Sequence, residues 1–336
     1  MSASRAGRAA LKKAKVPVSG PKASNKIPTV ERPSSKLPAT PVLPKRANPH
    51  LLNLKPEPET PRLSPRAMTV LGVTALTIST YCGYLYASYR REVTQAQSLD
   101  VPKDVSDRYN RTAPTFDAEV EMSEKVMRLG KKRQDLVRKA RGDVLEVSCG
   151  TGRNLEYYDL GERRGLDEDG RAAIQGCRSV TFVDLSPQMI EIARSKFEKL
   201  HPEFKNVTFR AQDAKDVVPP SAGAKPAYYD TIVQTMGLCS MPDPVGTLRH
   251  LGSITEPQKG QILLLEHGRS YYAWLNNILD NLAPAHADRH GCWWNRDIGE
   301  IVRQSGLEIV EEKRWHFGTT WKYVLRPARE SQDAKQ

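Results

Sequence analysis

Two patterns of apolar residues divide the chain. The first is one stretch, 67–89, that contains no charged residue. A helix of this length is about 34 Å long, which is enough to cross the apolar core of a bilayer. Arg66 precedes the stretch, Arg90 follows it, and tyrosines are concentrated towards its C-terminal end. The pattern predicts a transmembrane helix rather than a buried helix of a soluble domain, which would carry a polar stripe.

The second pattern, which begins near residue 104, consists of short apolar runs separated by longer amphipathic stretches. The short runs predict buried strands, and the stretches between them predict helices. The predicted strands are 144–147, 179–183, 207–210, 228–233, 260–265, 307–315 and 321–326. Helices are predicted over 107–140, with a break at Pro114, over 187–200, and directly after the first strand, before a charged insertion. The last two strands are separated by a short turn, which predicts an antiparallel hairpin at the end of a mainly parallel α/β sheet.

The N-terminal arm, 1–66, differs in composition from the rest of the chain. It contains 14 Lys and Arg and three Glu, and so carries +11 of the formal net charge of +12. Residues 1–30 contain no acid, which is typical of a mitochondrial transit peptide; a generic basic tail has the same composition. Residues 31–66 are rich in proline, so we expect a disordered linker there. A second linker is expected over 90–103, and a disordered tail over 328–336.

The rest of the chain is nearly neutral, so its charge does not indicate nucleic acid binding by the folded domain. If the arm is a transit peptide, its basic residues favour a position in the matrix by the positive-inside rule. The C-terminal domain would then lie in the intermembrane space. Close to the predicted membrane helix, however, the charges on the two sides are nearly balanced.

The cysteines argue against a structural metal or a disulfide framework, because no two of them form a C-x-x-C pair. They are Cys82, Cys149, Cys177, Cys239 and Cys292. His286, His290 and Cys292 have spacings that metal sites use. No fourth ligand is evident near them, and Asp288 and Arg289 are typical of a plain loop. The sequence therefore predicts no metal.

The stretch after the first predicted strand carries the most informative chemistry. Glu146 lies inside the strand, and the loop 148–152 contains two glycines, which permit a positive φ and a close approach to a ligand. A dinucleotide fingerprint needs a third glycine where this chain has Leu155, which disfavours a nicotinamide-dependent reductase. The form E-x-x-x-G-x-G resembles motif I of class I S-adenosylmethionine (SAM)-dependent methyltransferases, with Ser148 where that family usually has glycine. A tight turn of another α/β protein is the alternative.

Two acidic residues follow the next predicted strands. Asp184 can accept hydrogen bonds from both ribose hydroxyls of a nucleoside, and V-D-x-S-x-x-M around it resembles motif II of the same methyltransferases. Asp213 resembles the acid that contacts the adenine amino group, with helix capping as the alternative. Tyr109 belongs to a segment that resembles the cofactor-covering segment of ubiquinone-biosynthesis-type methyltransferases. The resemblance implies SAM as the cofactor, bound by Tyr109, Glu146, Ser148, Cys149, Gly150, Thr151, Gly152, Asn154, Asp184, Leu185, Met189, Asp213, Ala214, Gln234 and Thr235.

A more specific resemblance covers residues 104–327. Its shared points are L-E-V-x-C-G-T-G from 145, L-C-S from 238, Glu266-His267, and Gly291-Cys292 with Asn295. In these the chain resembles the fungal mitochondrial inner-membrane Oms-type methyltransferase family, and it is also similar to the animal membrane-anchored thiol methyltransferases. The resemblance implies a class I methyltransferase (Rossmann-like) seven-stranded sheet with a C-terminal antiparallel hairpin, preceded by a disordered arm and one transmembrane helix.

Methyl transfer requires chiefly that the reactants are positioned and that water is excluded. Candidate residues of the acceptor pocket are Cys239, Glu266, His267 and Asn295. His267 could remove a proton near neutral pH, or it could be a strand-end residue bonded to backbone. Aromatic residues within 269–294 predict a lid over an apolar, lipid-like acceptor. We therefore expect a methyltransferase anchored in inner-membrane lipid; the alternative is a catalytically weak scaffold for respiratory-chain or mitochondrial ribosome assembly.

Overall fold

The computed structural model describes residues 63–166, 170, 172–219 and 227–328. The predictions for the arm up to residue 62 and for the tail from 329 lie outside these residues. The described chain begins with one long helix and continues into an α/β sheet with helices on both faces.

The first helix, α1, spans Pro65–Gln97 and is long and apolar enough to cross a membrane. It continues past the predicted end at 89, because residues 90–97 contain neither Gly nor Pro. Part of the predicted linker 90–103 is therefore helical. The last turns of α1 pack on the folded domain: Val93 and Ala96 are buried, and the Tyr89 hydroxyl accepts a 2.9 Å hydrogen bond from Asn281 Nδ2.

The main sheet has seven strands in the order β5-β4-β1-β6-β7-β9-β8, and a separate hairpin pairs β2 with β3. The strands are Gly142–Val147 (β1), Arg163–Leu166 (β2), Ala172–Gln175 (β3), Cys177–Asp184 (β4), Val207–Ala211 (β5), Thr231–Thr235 (β6), Gln261–His267 (β7), Glu308–Trp315 (β8) and Thr320–Arg326 (β9). The first five strands of the sheet are parallel, whereas β9 runs antiparallel to both β7 and β8. The predicted sheet and its terminal hairpin are confirmed.

Helices cover both faces of this sheet. They are Arg108–Thr112 (α2), Phe116–Val126 (α3), Leu129–Val137 (α4), Pro187–Leu200 (α5), Pro244–Ser253 (α6), Ala273–His290 (α7) and Ile298–Ser305 (α8). Alternate residues of β7 enter two different cores. Ile262 and Leu264 pack with α6 and α8, whereas Leu263 and Leu265 pack with α4 and α5. An apolar run without polar alternation is what a strand buried on both faces requires.

The helix that was expected directly after β1 is absent from the described chain. A single 3-10 turn, Leu155–Tyr157, takes its place, and the charged insertion forms the hairpin of β2 and β3. The chain leaves the helical path because the Tyr158 side chain turns into the core, where its hydroxyl donates to buried Glu146. Gly161, with a φ of 95°, then starts the hairpin.

Candidate functional site

The loop 148–152 leaves β1 in an unusual backbone conformation. Ser148, Gly150 and Gly152 have φ values of 53°, 55° and 82°. A side chain at Gly152 would lie 2.4 Å from Leu155 Cδ1, and so glycine is required there for packing as well as for φ. The loop therefore exposes backbone at the carboxyl end of the sheet, where open α/β folds bind their ligands.

Ser148 occupies a left-handed conformation that glycine adopts more easily. Its side chain is accommodated because residue 237 on the neighbouring loop is glycine. A Cβ built at Gly237 would lie 2.7 Å from Ser148 Cβ and 2.8 Å from Ser148 Oγ. The departure from glycine at 148 is thus matched by a glycine opposite it.

Asp184, at the end of β4, faces this loop. Its Oδ2 accepts a 2.9 Å hydrogen bond from Gly150 N, and its Oδ1 accepts one of 2.9 Å from Ser186 N. Burial raises the pKa of the Asp184 carboxyl, and the backbone donors oppose that rise because they favour the charged form. The carboxylate is therefore held in a fixed orientation at the edge of the cleft.

A cleft lies between this loop and the ends of β4 and β6. Eleven of the residues predicted to bind the cofactor line it: Tyr109, Ser148, Cys149, Gly150, Thr151, Asp184, Leu185, Met189, Asp213, Ala214 and Thr235. Asp213 also caps the 3-10 turn Ala214–Asp216, accepting a hydrogen bond from Lys215 N. Asp213 therefore both caps this turn and lines the cleft.

The other four predicted residues do not line the cleft. Gly152 belongs to the turn behind it, and Gln234 is buried, with Nε2 3.6 Å from Met241 Sδ. Glu146 is also buried; its carboxylate accepts hydrogen bonds from Asn154 Nδ2 at 2.8 Å and from the Tyr158 hydroxyl at 2.5 Å. Burial raises the pKa of Glu146 to about 7. Glu146 and Asn154 thus support the loop from below.

Sequence reasoning missed Arg133, a buried basic residue of α4 that lines the cleft. Its Nη1 donates to Thr235 Oγ1 at 2.5 Å and to Asn154 Oδ1 at 3.2 Å, and its Nη2 donates to Glu124 Oε1 at 2.8 Å. Its Nε is buried without a partner among the described residues. Arg133 lies in a run of basic residues that looks like an exposed helix face, so no sequence signal separates it from its neighbours.

α2 and α3 cover the cleft, and Tyr109 and Phe116 line it from that side. An acidic residue of α3, Asp117, holds the cover in place. It accepts hydrogen bonds from Thr151 Oγ1 at 2.6 Å and from Arg153 Nη1 at 3.1 Å, and it also pairs with Lys196. The segment that resembled a cofactor cover therefore lies over the cleft.

Glu266, one of the acceptor-pocket candidates, is fully buried at the end of β7. It accepts hydrogen bonds from Gly237 N at 3.1 Å and from Leu238 N at 3.2 Å. Burial raises its pKa to about 8. Both carboxylate oxygens are engaged, so Glu266 fixes the loop that follows β6.

Cys239, His267 and Cys292 form what we term the Cys–His cluster, in which all three ligand atoms lie within 4.8 Å of one another. His267 Nε2 is 2.8 Å from Cys292 Sγ. A hydrogen bond from Cys292, with His267 nearby, lowers the pKa of the Cys239 thiol. The cluster adjoins the cleft through Ser240, whose Oγ is 3.5 Å from Cys239 Sγ and 2.8 Å from the Tyr109 hydroxyl.

Asn295, the fourth candidate, lies among other polar groups and does not line the cleft. Its Nδ2 donates to Asp280 Oδ1 at 2.9 Å, and Asp280 is paired with Arg269. The spacing of His286, His290 and Cys292 does not correspond to a site either. His286 stacks on Trp294 with ring centroids 3.9 Å apart, and only Cys292 joins a group of ligand-type side chains in the described chain.

The sheet is parallel except for β9, and a glycine loop and an acidic strand end lie beside one cleft. This combination defines the class I methyltransferase fold. A family profile described as "Methyltransferase domain" matches residues 115–312, which is more than half of the chain. The chain belongs to this family, and the resemblance found in its sequence is confirmed.

The chain is similar to "Methyltransferase OMS1, mitochondrial" of Saccharomyces cerevisiae, with 41% identity over 233 residues. The match covers 67% of this chain and 46% of the relative, so it spans about half of the relative's length. The solved structure "Complex between the Haloferax volcanii Trm112 methyltransferase activator and the putative methyltransferase" shows 15% identity and a TM-score of 0.46, and the match covers 68% of this chain and 100% of that chain. The structure of the mitomycin 7-O-methyltransferase MmcR shows 15% identity and a TM-score of 0.41, and the match covers 66% of this chain and 60% of that chain.

Proposed function

We propose that the chain is a SAM-dependent methyltransferase anchored in the mitochondrial inner membrane. One observation carries this proposal: the cleft combines a glycine loop, the Asp184 carboxylate and the Nε–H of Arg133, which has no partner within the part of the chain that the structure describes. SAM contains a ribose diol and an amino-acid carboxylate. A carboxylate suits the diol, and a buried guanidinium N–H without a partner suits the carboxylate. The residues present therefore fit SAM.

SAM, when bound, supplies an electrophilic methyl group on a sulfonium. The contribution of the chain is to bind and orient the reactants and to keep water out. We assign the ribose contact to Asp184, the carboxylate contact to Arg133 and the adenine amino contact to Asp213. Tyr109 and Phe116 exclude water from above.

The acceptor pocket is proposed to lie beside Ser240. Cys239 and His267 would line it, whereas Glu266 and Asn295 would position its walls through the hydrogen bonds described above. Tyr271, Tyr272 and Trp274 are exposed before and at the start of α7. An exposed aromatic group of this kind supports an apolar acceptor.

A titration of full-length protein in detergent tests cofactor binding. Calorimetry with SAM should give one binding site per chain, and NADH should give none. Binding of NADH, or no retention of SAM at millimolar concentration, would contradict the proposed cofactor.

Methyl transfer is tested separately with labelled SAM. Mitochondrial extracts from cells that lack the protein should gain a labelled product when wild-type protein is added, and should gain none with D184A. In cells, a scaffold would keep its function when Asp184 is replaced, whereas an enzyme would lose it. A labelled product that partitions into water rather than lipid would overturn the apolar acceptor.

The location rests on α1, on the basic arm of the sequence and on a relative whose name is mitochondrial. Protease added to intact mitochondria should leave the C-terminal domain uncut, and rupture of the outer membrane alone should expose it. Protection that persists until the inner membrane is dissolved would instead place the domain in the matrix.

A further inference from the structure

The Cys–His cluster contains the ligand types of a metal site, and its three members come from three distant segments. Cys239 follows β6, His267 ends β7, and Cys292 follows α7. Zinc in proteins is bound chiefly by cysteine sulfur and imidazole nitrogen, and other divalent cations such as Mg²⁺ and Ca²⁺ prefer oxygen ligands. We propose that these three residues bind one thiophilic divalent cation, with Zn²⁺ as the expected ion.

The separations within the cluster suit such an ion. In a tetrahedral site, zinc lies about 2.3 Å from sulfur and about 2.0 Å from nitrogen, which puts ligand atoms about 3.5 to 3.8 Å apart. The three ligand atoms lie within 4.8 Å of one another, and the shortest pair, His267 Nε2 and Cys292 Sγ, is at 2.8 Å. Side-chain shifts of about 1 Å therefore complete the geometry.

Contacts of the neighbouring backbone hold the two thiols in place, and no disulfide joins them. Glu266 accepts hydrogen bonds from Gly237 N and Leu238 N, immediately before Cys239. Trp293 N donates to the Cys239 carbonyl at 3.1 Å, which ties the segment after α7 to the loop after β6. A site whose ligands are positioned by other contacts is preorganised for its ion.

The cluster supplies three of the four ligands that a tetrahedral ion takes. Within the described chain, the group has three ligand residues, so a tetrahedral ion would keep one position for water or another small molecule. The two cysteines are buried and His267 is partly buried, so a bound ion would be shielded from bulk water. A metal-bound imidazole nitrogen cannot also take up a proton. Metal analysis of the protein therefore also decides whether His267 acts as a ligand or as a base.

Metal analysis of full-length protein in detergent tests the site, and it does not depend on SAM binding. Wild-type protein should contain about one zinc per chain. After chelation, Co²⁺ should produce thiolate-to-metal charge-transfer absorption and the visible d–d bands of a tetrahedral site. C239S, C292S and H267A should each weaken metal binding at least about tenfold. C177S is the matched control, because Cys177 is buried elsewhere, near the Ala140 carbonyl, and should leave binding unchanged.

The wild-type Co²⁺ spectrum needs no variant, so the proposal stays testable if a substitution prevents folding. A variant that binds SAM with wild-type affinity but has lost zinc would support the site most directly. The proposal is overturned if wild-type protein holds no stoichiometric metal and gives no thiolate–Co²⁺ band. Wild-type affinity for the metal in both C239S and C292S would overturn it too, as would a Cys239–Cys292 disulfide whose reduction does not yield metal binding.

Discussion

The cofactor wall of the cleft and the Cys–His cluster beside it are built in different ways. Most of the cofactor wall comes from three short stretches, 148–151, 184–189 and 212–214, at the carboxyl ends of β1, β4 and β5. The Cys–His cluster consists of single residues on three segments, and tertiary packing alone brings them together. Local backbone geometry therefore encodes the cofactor wall, whereas the assembled fold creates the cluster. A perturbation of one should leave the other nearly intact, and this expectation can be measured.

The largest effect should come from D184A, which removes the carboxylate of the cofactor wall. Two charge-assisted hydrogen bonds to ribose hydroxyls contribute about 4 kcal/mol together, so SAM affinity should fall about a thousandfold by calorimetry. Zinc content should not change, because the Cys–His cluster does not contact Asp184. D297N, at the exposed N-cap of α8, is the control and should bind SAM normally. Unchanged SAM affinity in D184A would refute the assigned ribose contact.

The buried Glu146 beneath the cofactor wall should make stability depend on pH. Its pKa is raised from 4.5 to about 7, so the folded state holds the proton more tightly than the unfolded state. The stability from this group is complete below about pH 4.5 and is lost as pH rises through about 7, on the order of 3 kcal/mol. Denaturant titrations of wild type and E146Q across this window should show a shallower decline in E146Q.

E146Q also leaves one donor, Asn154 Nδ2 or the Tyr158 hydroxyl, without a carboxylate oxygen. The two proteins are therefore compared by the slope of stability against pH, because the amide that E146Q introduces does not titrate. E198Q, on an exposed part of α5, should keep the wild-type slope. Parallel curves for wild type and E146Q would show that Glu146 does not titrate in this range.

The cover of the cofactor wall depends on Glu124, whose carboxylate accepts hydrogen bonds from Arg133 and Arg153. Because this carboxylate is largely buried, E124Q should lower the free energy of unfolding by about 2 kcal/mol and weaken SAM binding. The matched control is E121Q, one turn earlier on α3, where an exposed carboxylate pairs with Lys125. E121Q should cause no measurable change. Equal effects of the two substitutions would indicate that α3 is not clamped over the cleft.

The smallest effect is expected at Ser148, which has a positive φ. S148G removes the left-handed strain but adds backbone freedom to the unfolded chain, and a net stabilisation of about 0.5 kcal/mol should remain. SAM affinity should stay within about twofold, because the loop backbone keeps its path. R128G is a useful control, since Arg128 also has a positive φ but does not line the cleft. A large loss of affinity in S148G would mean that the hydroxyl contacts the ligand.

Much of the fold was accessible from sequence because each strand of the main sheet is a distinct apolar run, and the C-terminal hairpin closes over a short turn. The prediction of a helix directly after β1 was wrong. The sequence from Leu155 to Tyr158 has the apolar content of a helix start, but Tyr158 is drawn inward by a hydrogen bond to Glu146. A side-chain contact made across the core overrides local preference, and no local pattern reports it.

The site divides in the same way. The sequence predicts Asp184 at the cleft, because the carboxyl ends of parallel strands lie at the edge of the sheet where ligands bind. Arg133 was missed because burial, which distinguishes it from the other basic residues of α4, depends on Glu124 and Thr235. The spacing of Cys292 from His286 and His290 is one that metal sites use, but the fold instead brings Cys292 next to Cys239 and His267. Proximity between distant segments is a property of the topology.

One consequence follows from where the five sulfhydryl groups lie. Cys149, Cys177, Cys239 and Cys292 are buried, and Cys82, in the middle of α1, is exposed. A bulky maleimide should therefore label the native chain at Cys82 alone. Its reaction rate in detergent and in vesicles would report how deeply this helix is inserted in the bilayer, with no engineered cysteine needed.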